Sequence, residues 1–250
     1  MSDSEDFLIF VFDVCDDRDA VLNVLTEKFE YHKTDANIRF RHMPGMLREH
    51  FPRERAQELA GALNAIGCHA KVVEGSKLPD LKHAAQIHHL RCVDSGLEVV
   101  NADGSVSETL SWESINLVTV GAIPSSTVDG SPTIHPNAAA TDHADPVTHP
   151  EKFAMELWVV ANQGQLFFRA EQHEMNYEYL GDRKVSSTKG NLELLVRDIL
   201  EKASHLLVLG TTRDFLNHRP LKTYAFSTPD DLRDLVAGQV AVVLEMTTDS

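Results

Sequence analysis

The sequence predicts an α+β protein: a small α/β sandwich followed by an antiparallel, β-rich, barrel-like domain closed by an amphipathic helix. Three observations carry this prediction. β-Branched and aromatic runs alternate with helical periodicity over residues 1–75, short strands at hairpin spacing take over after Gln86, and residues 191–203 repeat large aliphatics at helix spacing. Each half is expected to close over its own apolar core.

Residues 7–14 (FLIFVFDV) form a run of strand length, and Asp16, Asp17 and Asp19 behind it suit a helix N-terminus. Val21, Val24, Leu25 and Phe29 then fall at helical spacing over 20–29. A short helix over 36–42 is stopped by Pro44-Gly45, and 46–51 reads as an extended piece. Pro52 opens a strong helix, with Ala56, Leu59, Ala60, Leu63 and Ile66 on one face; Gly67 is its C-terminal stop and 70–74 is a strand.

Residues 76–85, rich in Lys, Pro and small side chains, are expected to link this module to the second half, 86–250. There, strands are predicted over 88–93, 96–100 and 106–110, with a hairpin turn at 101–104, and the apolar pattern continues from Trp112 to Val120. Residues 124–150 hold five of the ten prolines and almost no large apolar side chain, which predicts an exposed, mobile insertion. Strands are expected again over 156–160 and 165–170, around the turn 161–164, and 177–180 is placed as a further strand. The helix over 191–203 carries Leu192, Leu195, Val196, Ile199 and Leu200 as one stripe that closes the sheet. The remainder reads as a strand (205–209), a helix (211–217), a helix (229–236) and a final strand (239–246).

With 38 acidic against 23 basic residues, the net charge of −15 repels phosphate backbones and anionic surfaces, so no nucleic acid is expected as partner and a basic protein or peptide fits better. Cys15, Cys68 and Cys92 stand far apart with no CxxC pair, which argues against a disulfide framework and a zinc knuckle. The opening Met-Ser-Asp-Ser-Glu-Asp is acidic where a signal peptide is basic, and no apolar run reaches membrane-spanning length, so a cytoplasmic location without a membrane span is expected.

The stretch 51–74 (FPRERAQELAGALNAIGCHAKVVE) makes the first module resemble the fold shared by the C-terminal domain of ribosomal protein L7/L12 and the Clp protease adaptor that recognises N-terminal degrons. In the adaptor family an Asn-Asp-Asp after the first strand and a His before x-x-Gly hold an α-amino group. Cys15-Asp16-Asp17 and His42-Met43-Pro44-Gly45 stand in similar places, with Cys15 where the family has asparagine. The resemblance implies that Asp16 or Asp17 pairs with an ammonium while His42 accepts a hydrogen bond. The residues alone read as helix caps and a helix end. Residues 96–100 with Trp112-Glu-Ser-Ile115 and the helix over 191–203 make the second half resemble a bacterial pleckstrin-homology-like domain.

None of the nucleophile, phosphate-loop or zincin motifs is present, so no catalytic residue and no cofactor is assigned. Among thirteen histidines, His88 and His89 are adjacent on a predicted strand and face opposite ways, and His135, His143 and His149 lie near Asp142 and Asp145 in the insertion without structural-zinc spacing; no metal is expected. Tyr177 and Tyr179, two apart on a predicted strand, would share a face and, if exposed, bind peptide; the plainer reading places them in the core. The function expected is an intracellular, non-catalytic adaptor binding a protein or peptide, with a small-molecule or enzymatic site in the cleft between the modules as the alternative. Edge strands pairing between copies would give a homo-oligomer.

Overall fold

The element order of the first half follows from its punctuation. β1 (Phe7–Asp13) is an unbroken β-branched and aromatic run, and Asp17 behind it accepts the Ala20 backbone N–H at 3.0 Å, which starts α1 (Arg18–Glu27). The computed structural model describes residues 6–41, 43–125, 153–206, 208 and 210–248, the side chains of 48 and 245–248 excepted. α2 (Lys33–Arg41), β2 (Gly45–Phe51) and α3 (Arg53–Ala65) follow, the last directly behind Pro52. Gly67, at φ +89°, ends α3 in a Schellman motif: its N–H reaches the Asn64 carbonyl at 3.0 Å, and the Cys68 N–H reaches the Leu63 carbonyl at 3.2 Å. β3 (His69–Glu74) then pairs antiparallel with β1, giving the sheet order β2-β1-β3. Leu25, Leu59 and Leu63 pack under one face of this sheet with Ile9 and Val11.

The second half carries two further sheets. β5 (Leu90–Val93), β6 (Gly96–Val100) and β7 (Val106–Leu110) form an antiparallel meander. β8 (Ile115–Pro124), β9 (Phe153–Ala161) and β10 (Leu166–Glu171) form another, extended at its edge by β4 (Ala85–Gln86), which runs parallel to β10. α4 (Thr188–Lys202), capped by the Ser187 hydroxyl, presses Leu192, Leu195, Val196 and Ile199 into the core between these sheets. α5 (Gly210–Leu216) and α6 (Pro229–Thr248) complete the chain of elements, and the molecule is α+β as expected.

In place of two closed cores, the described residues form three apolar clusters. β9 is apolar on both faces: Leu157 and Val159 point to the α4 side, Trp158 and Val160 to the other. On that other side α6 lies between the sheets of the two halves, so that Leu232, Leu235, Val236 and Val240 share one cluster with Phe10 and Val73 of the first sheet and Leu117 of β8. α6 packs against β1, β2 and β3 as well as β8. The approach is close enough to require glycine at 238, where an added methyl carbon would sit 2.6 Å from Cγ of Phe10. A hydrogen bond of 2.6 Å from the Thr119 hydroxyl to the Gln239 side-chain carbonyl pairs two buried polar side chains at this interface.

Several expectations are corrected. The strand over 239–246 does not form; those residues continue α6, whose residues 235–242 are buried on every side and so carry no one-sided stripe to read. The strand over 205–209 is absent at its described residues, which make a turn after α4; Leu207 and Leu209 lie outside them. Residues 177–180 enter a 3-10 segment (Glu178–Arg183) rather than a strand. The linker is more ordered than its composition implied: it holds two 3-10 turns, Gly75–Lys77 and Leu81–His83, with Leu81 buried in the α6 cluster. Of the insertion over 124–150, Pro124 ends β8 and Ser125 follows it, and residues 126–150 lie outside those described. Among the described residues no helix is long and apolar enough to cross a membrane.

Candidate functional site

A charged side chain interrupts the most apolar strand of the molecule. Glu156 stands in β9 between Met155 and Leu157, faces the α6 side with Trp158, and is only 3% exposed. Its Oε1 accepts the Trp158 indole N–H at 2.7 Å, and its Oε2 lies 3.6 Å from the guanidinium of Arg169 on β10. Burial pushes the Glu156 carboxyl above its ordinary value, opposed by the indole hydrogen bond and by Arg169. Removing a carboxylate from water costs several kcal/mol, so its place here marks either a satisfied structural pair or a working group.

From Glu156 a chain of polar contacts leads outward. Arg169 donates to the Gln86 side-chain carbonyl at 2.6 Å, the Gln86 amide donates to Glu174 at 2.7 Å, and His88 lies 3.9 Å from the same carboxylate. The parallel pairing of β4 with β10 brings Gln86 alongside Arg169, because their Cα positions are register partners. Gln86 and Glu174 line two adjoining hollows, one of about 350 Å³ that reaches Glu156, Glu171 and Pro229, the other of about 680 Å³ bounded by residues 85–89, the β6–β7 hairpin and the segment 174–178. Together they make a trough whose walls carry Glu156, Glu171, Glu174, Glu178 and Asp103 against the single guanidinium of Arg169. Asp103 is held below the usual carboxylate range by the hydroxyl and backbone N–H of Ser105. In the wall, His89 leaves its Nε2 buried without a partner, and burial followed by the neighbouring Arg91 lowers its pKa, so the ring is neutral at physiological pH.

The residues singled out from the sequence do not converge. Asp17 is the exposed cap of α1 and Asp16 is exposed beside it, while His42 lies outside the described residues. Tyr177 is buried in the α4 core and donates to the Gln172 carbonyl at 3.0 Å. Tyr179 is half-buried and donates to Asp198 at 3.0 Å; Arg183 grips the same carboxylate from 2.6 and 2.9 Å and holds it below the usual range. Tyr179 ties the 3-10 segment to α4, and neither tyrosine stands as an open platform. His88 and His89 do not take opposite faces of a regular strand: they precede β5 and both line the trough. His135, His143, His149, Asp142 and Asp145 lie outside the described residues, and among those described no group of three or more His, Cys, Asp or Glu side chains is placed to hold a metal ion.

Sequence reasoning missed Glu156, Arg169, Gln86 and Glu174. A signal existed for the first: a lone carboxylate inside the run FAMELWVVA. The others are brought in by the β4–β10 pairing, a contact between segments more than 80 residues apart. In comparisons with known proteins the chain matches no family model, no curated protein and no solved structure.

Proposed function

We propose that this protein is a cytoplasmic adaptor or interaction module that holds a basic, extended protein segment in the acidic trough between β4, β6, β7 and β10. One observation carries the reading: Glu171, Glu174, Glu178 and Asp103 line an open groove with one guanidinium, and that guanidinium is already engaged by the buried Glu156 and by Gln86. A lysine- or arginine-rich segment would find ion-pair partners along the trough. The same reading takes the first half as an L7/L12-like or Clp-adaptor-like module, supported by its β-α-α-β-α-β order, and the second as a pleckstrin-homology-like one, supported by sheets closed by α4.

The test is fluorescence anisotropy with labelled Lys/Arg-rich and Asp/Glu-rich peptides. The basic peptides are expected to bind, more weakly as salt rises, and the triple variant Asp103→Asn/Glu174→Gln/Glu178→Gln to lose about tenfold in affinity, three exposed pairs at roughly 0.5 kcal/mol each. Equal binding of the acidic peptides, or none of the basic ones, overturns the reading.

A second reading rests on Glu156 itself. A buried carboxyl with a raised pKa beside an arginine, in a hollow of about 350 Å³, is the pattern of a small-molecule or enzymatic site. It predicts that small polar ligands raise the melting temperature of the native chain and not that of Arg169→Ala; a full library without one such hit removes it.

A further inference from the structure

The three cysteines are not equivalent. Cys92 belongs to β5 and packs at the edge of the α4 core, whereas Cys15 and Cys68 meet in the core of the first half. The Schellman turn at Gly67 brings them together. By reversing the chain after α3 it seats Cys68, 1% exposed, beneath the loop between β1 and α1, where its Sγ accepts the Cys15 backbone N–H at 3.4 Å. A Cβ at Gly67 would lie 3.7 Å from that of Cys15, so the two turns touch. Cys15 is half-buried, and its thiol points along the loop toward the Asp17 carbonyl at 3.6 Å.

We propose that Cys15 and Cys68 are a redox-responsive pair that peroxide converts to an intramolecular disulfide, cross-linking the β1–α1 loop to the end of α3. Cys15, the more accessible of the two, loses its proton to solvent and its sulfur attacks one oxygen of hydrogen peroxide. The O–O bond breaks, and the departing hydroxide takes a proton to become water, leaving a sulfenic acid. The Cys68 sulfur then attacks the Cys15 sulfur; the S–O bond breaks, and the second water leaves with the Cys68 proton. Two thiols and one peroxide thus give one disulfide and two waters. Burial pushes the Cys68 thiol up to about 11, which slows the second step at neutral pH and accelerates it as pH rises. The loop so fixed carries Asp16 and Asp17, and it adjoins Asp13, whose ion pair with Arg213 at 3.1 Å ties β1 to α5. Oxidation therefore stiffens a junction between the two halves.

The test uses the full chain, reduced, exposed to hydrogen peroxide, alkylated and analysed by intact mass and peptide mapping. The expected product has lost two hydrogens, retains one alkylatable thiol at Cys92, yields a peptide linking Cys15 to Cys68 and reverts with dithiothreitol. Cys92→Ser is expected to behave as the native chain, whereas Cys15→Ser and Cys68→Ser form no internal link. Sulfinic acid at Cys15 with Cys68 still reduced, a link through Cys92, or unchanged thiols under conditions that oxidise free cysteine would each overturn the proposal.

Discussion

Gly238→Ala sets two effects of opposite sign against each other. Position 238 lies inside α6, where replacing glycine by alanine favours the helix by about 1 kcal/mol when nothing else is near. Here the new methyl would stand 2.6 Å from Cγ of Phe10 and nearer still to the ring edge, whereas carbon atoms rest at roughly 3.5–4.0 Å. The nearest ring atom, Cδ2 at 2.1 Å, must withdraw by about 1.4 Å or more. It has no space to do so, because Phe10 is fully buried and edge-on to Phe12 at a centroid distance of 4.5 Å. Overpacking of this kind costs roughly 1–3 kcal/mol, with up to about 1 more for a disturbed aromatic pair. The clash outweighs the propensity gain, and a net loss of about 2 kcal/mol is expected, equivalent to a melting temperature lower by roughly 4–8 °C for a chain of this size. Urea unfolding followed by tryptophan fluorescence and far-ultraviolet circular dichroism measures it. Trp158 sits in the same cluster and reports directly. Phe10→Leu should relieve the clash, so the double variant loses less than the sum of the single ones by about 1 kcal/mol. A Gly238→Ala chain with a raised midpoint and an unchanged slope would refute the packing of α6 on β1 and, with it, the shared core.

Glu156 gives a prediction in pH. Its folded pKa is raised, so between the ordinary carboxylate value of about 4.3 and that raised value the folded protein holds a proton that the unfolded chain has lost, and this group's contribution to stability falls as pH rises through that window. Glu156→Gln removes that dependence and keeps an acceptor for the Trp158 indole, so the variant should gain on the native chain with rising pH; urea midpoints between pH 4 and 8 that show the native chain gaining instead contradict it. At the start of α6, Thr228 and Asp231 cap each other, the Asp231 N–H reaching the Thr228 hydroxyl at 3.2 Å and the Thr228 N–H reaching the Asp231 carboxylate at 3.0 Å, so Thr228→Ala should cost about 1 kcal/mol by the same unfolding assay. A loss below about 0.3 kcal/mol would mean that α6 is fixed by packing alone.

What could be read from the sequence was what local chemistry encodes. Pro52, Gly67 and the acid-rich turn after β1 each specify a helix end through backbone groups a few residues away, and the elements between them form as expected. The stripe of α4 is legible for the same reason: one face is wet and the other dry, so the period shows. α6 offers no such contrast. Its residues 235–242 are buried on every side, and Val240, Val242 and Val243 lend the segment the composition of a strand. Tyr177 and Tyr179 misled in a different way, since alternate aromatics fit a strand face as well as a 3-10 segment anchored by Asp198. The trough was hidden because it is assembled by pairings such as Ala85 with Phe168 and His89 with Asn176, which no local pattern records.

The position of α6 also orders events in time. Its residues are translated after all ten described strands, yet it supplies the lining for one side of sheets belonging to both halves. At roughly 5–20 residues per second, about 10–30 s separate the emergence of β3 from that of α6. For that interval a ribosome-bound chain shows Phe10 and Val73, joined by Trp158 only in its second half, to the surrounding solvent, a natural foothold for holdase chaperones.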